Sequence, residues 1–539
     1  MKLDHTTGHE VFNVGGLVDE AARKWGDRAV LYHYETGRTV TYSEMACMSN
    51  RVGNALCAAG VETENRVAIL MDDCPEWAFI LFGVFKIGAV ALPMNTLLNE
   101  KDYAFFLKDS RAKVLFIGRT FLDNVQGILS TLPGLKQVIV VDGSHLPPGK
   151  DSLPGWETFI QNASGDLEIQ PTFSGDVALF AYTSGSTGMP RAIMHSHANM
   201  IKCLAPSHEY FGIKEGDIQF HVPKLYFLTS VARLISAFDN GSSVVLLSGR
   251  PTPATVLEVI ARYRPTFLNG TPAIFARMVD EVQGAPHLAD LSSVKYIFCA
   301  GETLSPKLFQ RFQETFGKSI YNCWGAQELS SAPLSWKFGE TVPADKVGSV
   351  GKTPIPMAKV KICDPNGNEV PDGVAGEIMF QVESQFIGYW HEARQSSLKF
   401  FGGWYKPGDY FMRDPDGYYW YLGRMDDIVK VGGRQVLPVE VEHAVSSHPA
   451  VLEAAVIPVQ NDYGLTEIQA SVVLREGNRP SPELAQDIKD YVKTELAPFK
   501  RPQHVVFVSE LPKTATGKIQ RFRLRERALQ ATAGKKEER

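Results

Sequence analysis

From Tyr42 to Gly60, apolar residues fall at Met45, Val52 and Leu56 and a glycine closes the run, a spacing that predicts a helix. The next stretch, Arg66 to Met71 (RVAILM), is a short apolar strand, and Glu76 to Gly88 reads as a buried helix ending in glycine. The same alternation continues through VLFIG (114–118), VIVVD (138–142), VVLLS (244–248) and YIFCAGE (296–302). Near-continuous apolar strands alternating with helices predict a layered α/β body with largely parallel sheets.

The rhythm breaks at 402–434, where Gly, Asp, Pro and aromatic residues crowd together and predict turns and hairpins. Beyond it lie a helix (Val439–His448), two strands (Leu452–Val459 and Ile468–Leu474), a second helix (Pro482–Leu496) and a strand (His504–Val508). That is a small α+β domain of roughly 110 residues, a size able to fold alone. The expected division is a large N-terminal domain, 1–424, and a small C-terminal domain, 425–539, with the boundary at Arg424–Asp427.

Composition narrows the class. The 539 residues are 44% hydrophobic and 21% charged, which excludes disorder and fibrous repetition. With 55 Lys and Arg against 60 Asp and Glu, the chain has no basic excess, so nucleic acid is not an expected partner. The seven cysteines are scattered without a CxxC pair, a pattern of reduced thiols rather than a disulfide frame or zinc site. The polar opening MKLDHTTGHEVFNVGG lacks a signal-peptide pattern, and the longest apolar stretch, Ala78 to Met94, is interrupted by Lys86 and Pro93. A cytoplasmic protein without a membrane span is expected.

The strand-like VALFA (177–181) runs into YTSGSTGMPRA (182–192). Thr183, Ser184, Gly185, Ser186, Thr187 and Gly188 are all small, and each is hydroxylated or glycine. Such a loop can turn N–H and hydroxyl groups toward anionic oxygens, and glycine permits close approach. It does not match the Walker pattern. Composition alone leaves phosphate binding and a flexible linker both open.

The loop resembles the signature of the adenylate-forming superfamily, which includes acyl-CoA synthetases, adenylation domains and beetle luciferases. Further segments follow in the family's order: AGE (300–302), YNCWGAQE (321–328), WYKPGD (404–409), YLGRMDD (421–427) and LPKTATGKIQR (511–521). The resemblance implies ATP as substrate, held by the loop with Arg191, by Ala300, Gly301 and Glu302, by Trp324, Gly325 and Gln327, and by Tyr421. It implies that Asp409 and Arg424 engage the ribose and that Glu328 offers oxygen to Mg2+ on the phosphates. Lys518 would stabilise charge as a carboxylate attacks the α-phosphate. Asp426 would be the hinge of a mobile small domain, and Gly432 and Gly433 would leave room for the pantetheine of coenzyme A.

VPKLYF (222–227), VKVGGRQVLPVEVE (429–442) and KTATGKIQR are similar to benzoate-type aryl-CoA ligases. On that likeness Tyr226 and Phe227 border an acyl pocket, with Ser230, Val231, Ala300, Trp324 and Ser331 as neighbours. The implied reaction joins an aromatic carboxylic acid to CoA through an acyl-adenylate. The alternatives are an adenylating enzyme that loads the phosphopantetheine of a carrier protein and a nucleotide-binding relative without catalysis. Departures from the family pattern cluster around the nucleotide. Arg191 and Ala192 replace lysine and glycine, Gln327 replaces threonine, and Pro407 replaces a threonine, removing a hydroxyl and a backbone donor.

Overall fold

The computed structural model describes residues 2–3, 10–141, 153–183, 190–204, 210–302, 304–353, 358–431, 434–461, 463–513 and 519–537. Its centre is the helix Pro75–Lys86, whose every residue but Glu76 is buried. An all-apolar helix belongs between layers, and one apolar cluster joins it to strand residues of two different sheets, Val67 and Ile69 on one side and Leu31 and Val244 on the other. Two charged residues interrupt its apolarity: Glu76, at its first turn, pairs with Arg38 at 2.7 Å, and the fully buried Lys86 ammonium lies 2.8 Å from Asp19 and 2.6 Å from Asn50. The neighbouring helix Tyr42–Ala58 is capped by the Thr41 side chain, which accepts from the Glu44 N–H.

Among the described residues each of these two sheets has seven strands. The first places Arg66–Leu70 between Val90–Pro93 and Val114–Gly118, all parallel, with Gln137–Val141 beyond. Val177–Thr183 joins it in parallel, and Arg191–Ser196 then returns antiparallel, pairing Arg191 with Thr183. The second runs parallel from Tyr321–Asn322 through Tyr296–Cys299, Phe267–Gly270, Ile218–His221 and Ser243–Leu246 to Ala29–His33. The expected parallel α/β body is present, and observed element ends lie within about two residues of the expected ones.

A third sheet departs from that expectation. It is antiparallel and holds Lys359–Cys363, Ala375–Gln381, Trp404–Tyr405, Asp409–Arg413 and Tyr419–Arg424. Its first strands alternate Lys, Glu and Gln with apolar residues, a weaker signal than the apolar runs upstream. The hairpin between its last two strands turns at 414–418, where Asp414 Oδ1 accepts from the N–H groups of Asp416 and Tyr418 and Gly417 takes φ +84°.

The smaller C-terminal domain has its own core of Val441, Val445, Val456, Ala470, Val472, Ile488 and Val492. Helices Pro438–Ser447 and Pro482–Glu495 contribute to it, together with Val451–Gln460, Thr466–Leu474 and His504–Phe507, the last strand parallel to the second. Helix Arg521–Glu537 follows.

Candidate active site

The hairpin that opens the third sheet's edge sets two expected residues directly opposite each other. Asp409 pairs in register with Arg424. The carboxylate is buried, with Oδ1 2.8 Å from Arg424 Nη1, and Oδ2 accepting from Trp324 Nε1 at 3.0 Å. Burial works against the Arg424 charge, but Asp409 outweighs it and holds the guanidinium's pKa above its ordinary value. The Trp324 indole is itself fixed, stacked on Phe380 at 4.7 Å and met edge-on by Phe411. Tyr421 lies on the same hairpin against Phe411, and burial raises its phenol pKa. The turn Met425–Asp427 is tied back to this group, because the Met425 N–H donates to the Gly408 carbonyl.

Trp324 starts the first strand of a small hairpin, and Glu328 lies in its turn. Strands Trp324–Ala326 and Ser331–Leu334 flank a turn through Gln327, Glu328 and Leu329, closed by Ser330 at φ +54°. Gly325 is required there: a Cβ would lie 2.6 Å from the Ser331 carbonyl oxygen. Two distant segments hold the turn. His195 Nδ1 and Ser330 Oγ are 2.9 Å apart, Ser384 Oγ donates to the Leu329 carbonyl, and the Phe386 N–H donates to the Glu328 carbonyl. Burial lowers the His195 pKa to about 3, so its ring is neutral. Ser331 is buried, its hydroxyl 3.4 Å from Ser384.

The Glu328 carboxylate accepts from Tyr389 Oη at 2.8 Å, and the Arg191 guanidinium lies 5.9 Å above the Tyr389 ring. Pairing with Thr183 thus carries Arg191 toward Glu328. Ala192 is buried, its methyl absorbed in an apolar cluster, and its carbonyl accepts from the Trp390 N–H. Among the described residues no three His, Cys, Asp or Glu side chains converge as a metal site. Glu328, with one oxygen held by a neutral phenol, fits a single protein carboxylate donated to an Mg2+ that ATP carries.

Other expected residues lie in separate groups. Ala300, Gly301 and Glu302 follow strand Tyr296–Cys299, with Gly301 at φ +98°. Tyr226 and Phe227, their rings 4.6 Å apart, precede helix Leu228–Asn240. That segment is anchored by the buried Asp73, whose carboxylate accepts from the Leu225 N–H at 3.0 Å. Ser230 gives its hydroxyl to the Pro223 carbonyl, and Val231 is buried in the main core. Ser184, Gly185, Ser186, Thr187, Gly188, Gly432, Gly433 and Lys518 lie outside the described residues. Lys513 and Ile519, on either side of the last, pair in an antiparallel bridge.

Tyr389, His195, Ser330 and Ser384 carry no sequence signal comparable to a Gly-rich loop. Tyr389, His195 and Ser384 act on Glu328 or its turn from far along the chain, so only folding reveals them.

Residues 18–390 match the family described as AMP-binding enzyme, and 440–518 match the AMP-binding enzyme C-terminal domain. The chain is 36% identical over 498 residues to a 3-hydroxybenzoate–CoA/4-hydroxybenzoate–CoA ligase of Thauera aromatica, covering 92% of this chain and 93% of that one. An anthranilate CoA ligase, AuaEII, solved in complex with anthranoyl-AMP, superposes with a TM-score of 0.88 at 32% identity over 99% of this chain and all of that one. A benzoate CoA ligase from Burkholderia xenovorans LB400 gives 0.85 and 32% over 95% of this chain and all of that one. With the ordered motifs of its sequence, the paired Asp409 and Arg424, and both parts of the family matched in order, the chain belongs to the AMP-binding enzymes.

Proposed function

We propose that this protein is an ATP-dependent, AMP-forming ligase that joins an aromatic carboxylic acid to coenzyme A. The observation that carries the reading is the convergence of Asp409, Arg424 and Trp324, with Glu328 in the turn of the Trp324 hairpin. A buried carboxylate flanked by a guanidinium and an indole suits a ribose diol. The similarity to hydroxybenzoate, benzoate and anthranilate ligases supports the aromatic acid.

In the first half-reaction the acid's carboxylate oxygen attacks the α-phosphorus of ATP, the bond to the bridging oxygen breaks, and pyrophosphate leaves. Arg424 and Arg191 face the growing negative charge, and Lys518 supplies a further cation at the phosphorus; Mg2+ bound with ATP would offset charge on its phosphates beside Glu328. In the second half-reaction the CoA sulfur attacks the acyl carbon and AMP departs. We assign 1–424 to ATP and acid binding and 425–539 to a domain turning about Asp426. The change of core at 425–440 and the short tether from Met425 to Gly408 support that division. Tyr226 and Phe227 are proposed as walls of the acyl site, and the setting as cytoplasmic. None of the seven cysteines forms a disulfide, and among the described residues no helix is long and apolar enough to cross a membrane.

The test is product analysis by mass spectrometry with ATP, Mg2+, CoA and a panel of benzoates, larger aryl acids, cinnamates and fatty acids. One aryl-CoA formed together with AMP is the expected result. Acyl-AMP without acyl-CoA would move the acceptor to a carrier protein, and the absence of both across the panel would favour a nucleotide-binding relative.

A further inference from the structure

Lys399 ends the short helix Ala393–Lys399 and holds the segment before Asp409 at two points. Its carbonyl accepts from the Lys406 N–H at 2.8 Å, and its ammonium donates to the Pro407 carbonyl at 3.0 Å. The same ammonium also stands beside the position a side chain would take on Gly408. A Cβ built on that glycine, at φ +82°, would lie 3.7 Å from Lys399 Nζ and 3.5 Å from Arg424 Nη2. Two cations therefore converge where the glycine leaves room.

Among the described residues Lys399 forms no ion pair. Asp409, whose charge it feels, has one oxygen on Arg424 and the other on Trp324, and Glu328 accepts from Tyr389. Three N–H bonds radiate from an ammonium and Pro407 takes one. Burial first, and Arg424 second, lower the Lys399 pKa. A half-buried ammonium beside a guanidinium is relieved by an added anion, and the anionic part of a nucleotide lying along Asp409 is its phosphate.

We infer that Lys399 is a nucleotide-binding residue whose ammonium, with Arg424, holds a phosphate oxygen of the bound nucleotide. The inference rests on the proposed ATP-dependent function and adds a cation that the recognisable motifs do not contain. It also gives Pro407 a context: the turn that has lost a hydroxyl and an N–H is gripped through its carbonyl by the same lysine that faces the phosphate.

The competing role is structural, a lysine that only staples the turn, and calorimetric titration of the intact protein with AMP and with adenosine separates the two. Lys399→Met should weaken AMP binding about tenfold, as expected for one charge-assisted hydrogen bond, and leave adenosine affinity within about twofold. Lys399→Gln keeps a donor for the Pro407 carbonyl without the charge. It should also lose AMP affinity, and it carries the test if the methionine variant does not fold. Equal losses for AMP and adenosine, or normal AMP binding by Lys399→Gln, would overturn the assignment. If the wild-type protein bound neither compound, the proposed function itself would fall and take this assignment with it.

Discussion

Asp73 shows how one side chain can hold a proposed site wall at the expense of stability. It is buried beneath the 222–227 segment, and desolvation raises its pKa to about 6 from an ordinary 3.8, against the opposing pull of Lys224 and the Leu225 N–H. A raised carboxyl pKa means that the folded state binds more protons between pH 3.8 and 6. Stability on this account is highest below that window, is lost as pH rises through it, and stays lost above. At 1.36 kcal/mol per unit the ionised group costs on the order of 3 kcal/mol at pH 8. Asp73→Asn keeps an oxygen for the Leu225 N–H and removes the charge. It should gain about 2 kcal/mol in urea unfolding at pH 8 and almost nothing at pH 4; equal gains at both values would rule out the charge as the cause.

The Trp324–Leu334 hairpin is the element on which the candidate site turns, since it presents Trp324 to Asp409 and Glu328 to Tyr389. Its two strands approach so closely at Gly325 that a methyl group would meet the Ser331 backbone, which cannot rotate away as a side chain can. Gly325→Ala should therefore lower stability by about 1–3 kcal/mol. By moving Trp324 off Asp409 it should also raise the KM for ATP more than the KM for the acid. Unfolding midpoints together with the two KM values check both parts, and a fully stable variant would show that the hairpin can open without loss. The motif YNCWGAQE was legible in the sequence as a candidate segment, but the hairpin that carries it was not. Nor were the partners that lock its turn, His195 and Ser384, because their hydroxyl and imidazole groups look like ordinary polar residues until the chain brings them to Ser330 and Leu329.

Across the whole molecule the pH response is set by three histidines buried in the large domain. Burial lowers His195, His197 and His221 to about 3 from an ordinary 6.5. His195 and His197 also tie separate pieces together: His195 Nδ1 lies 2.9 Å from Ser330 Oγ, and His197 Nδ1 accepts from the Val14 N–H. A base with a depressed folded pKa stabilises fully above pH 6.5 and loses that contribution as pH falls toward 3, because only the unfolded chain takes up the proton. Between pH 7 and 5 these three groups oppose the single carboxyl Asp73, and Glu35, held near 2, does not enter that window. The midpoint of urea unfolding should therefore drop from pH 7 to pH 5. A midpoint that held or rose would show that these rings are not kept neutral.

The parallel layers were readable from sequence because strands buried on both faces must be apolar throughout, and RVAIL, VLFIG and YIFC have no other stable setting. The small domain was readable for a related reason, since helices and strands with one apolar face must close around a core of their own. The Gly- and Thr-rich segments, Asp409 and Glu328 stood out as members of an ordered set of motifs that resembles the adenylate-forming superfamily; a turn aspartate or a lone glutamate carries no such signal by itself. The third sheet and the fixing of the site depended on tertiary structure. Short amphipathic strands acquire their register from their neighbours, and a contact such as Lys399 to Pro407 or Tyr389 to Glu328 exists only where separate elements meet. Sequence determined which groups this protein carries and the layers that bear them; folding decided which groups face one another, because distance and burial belong to no single residue.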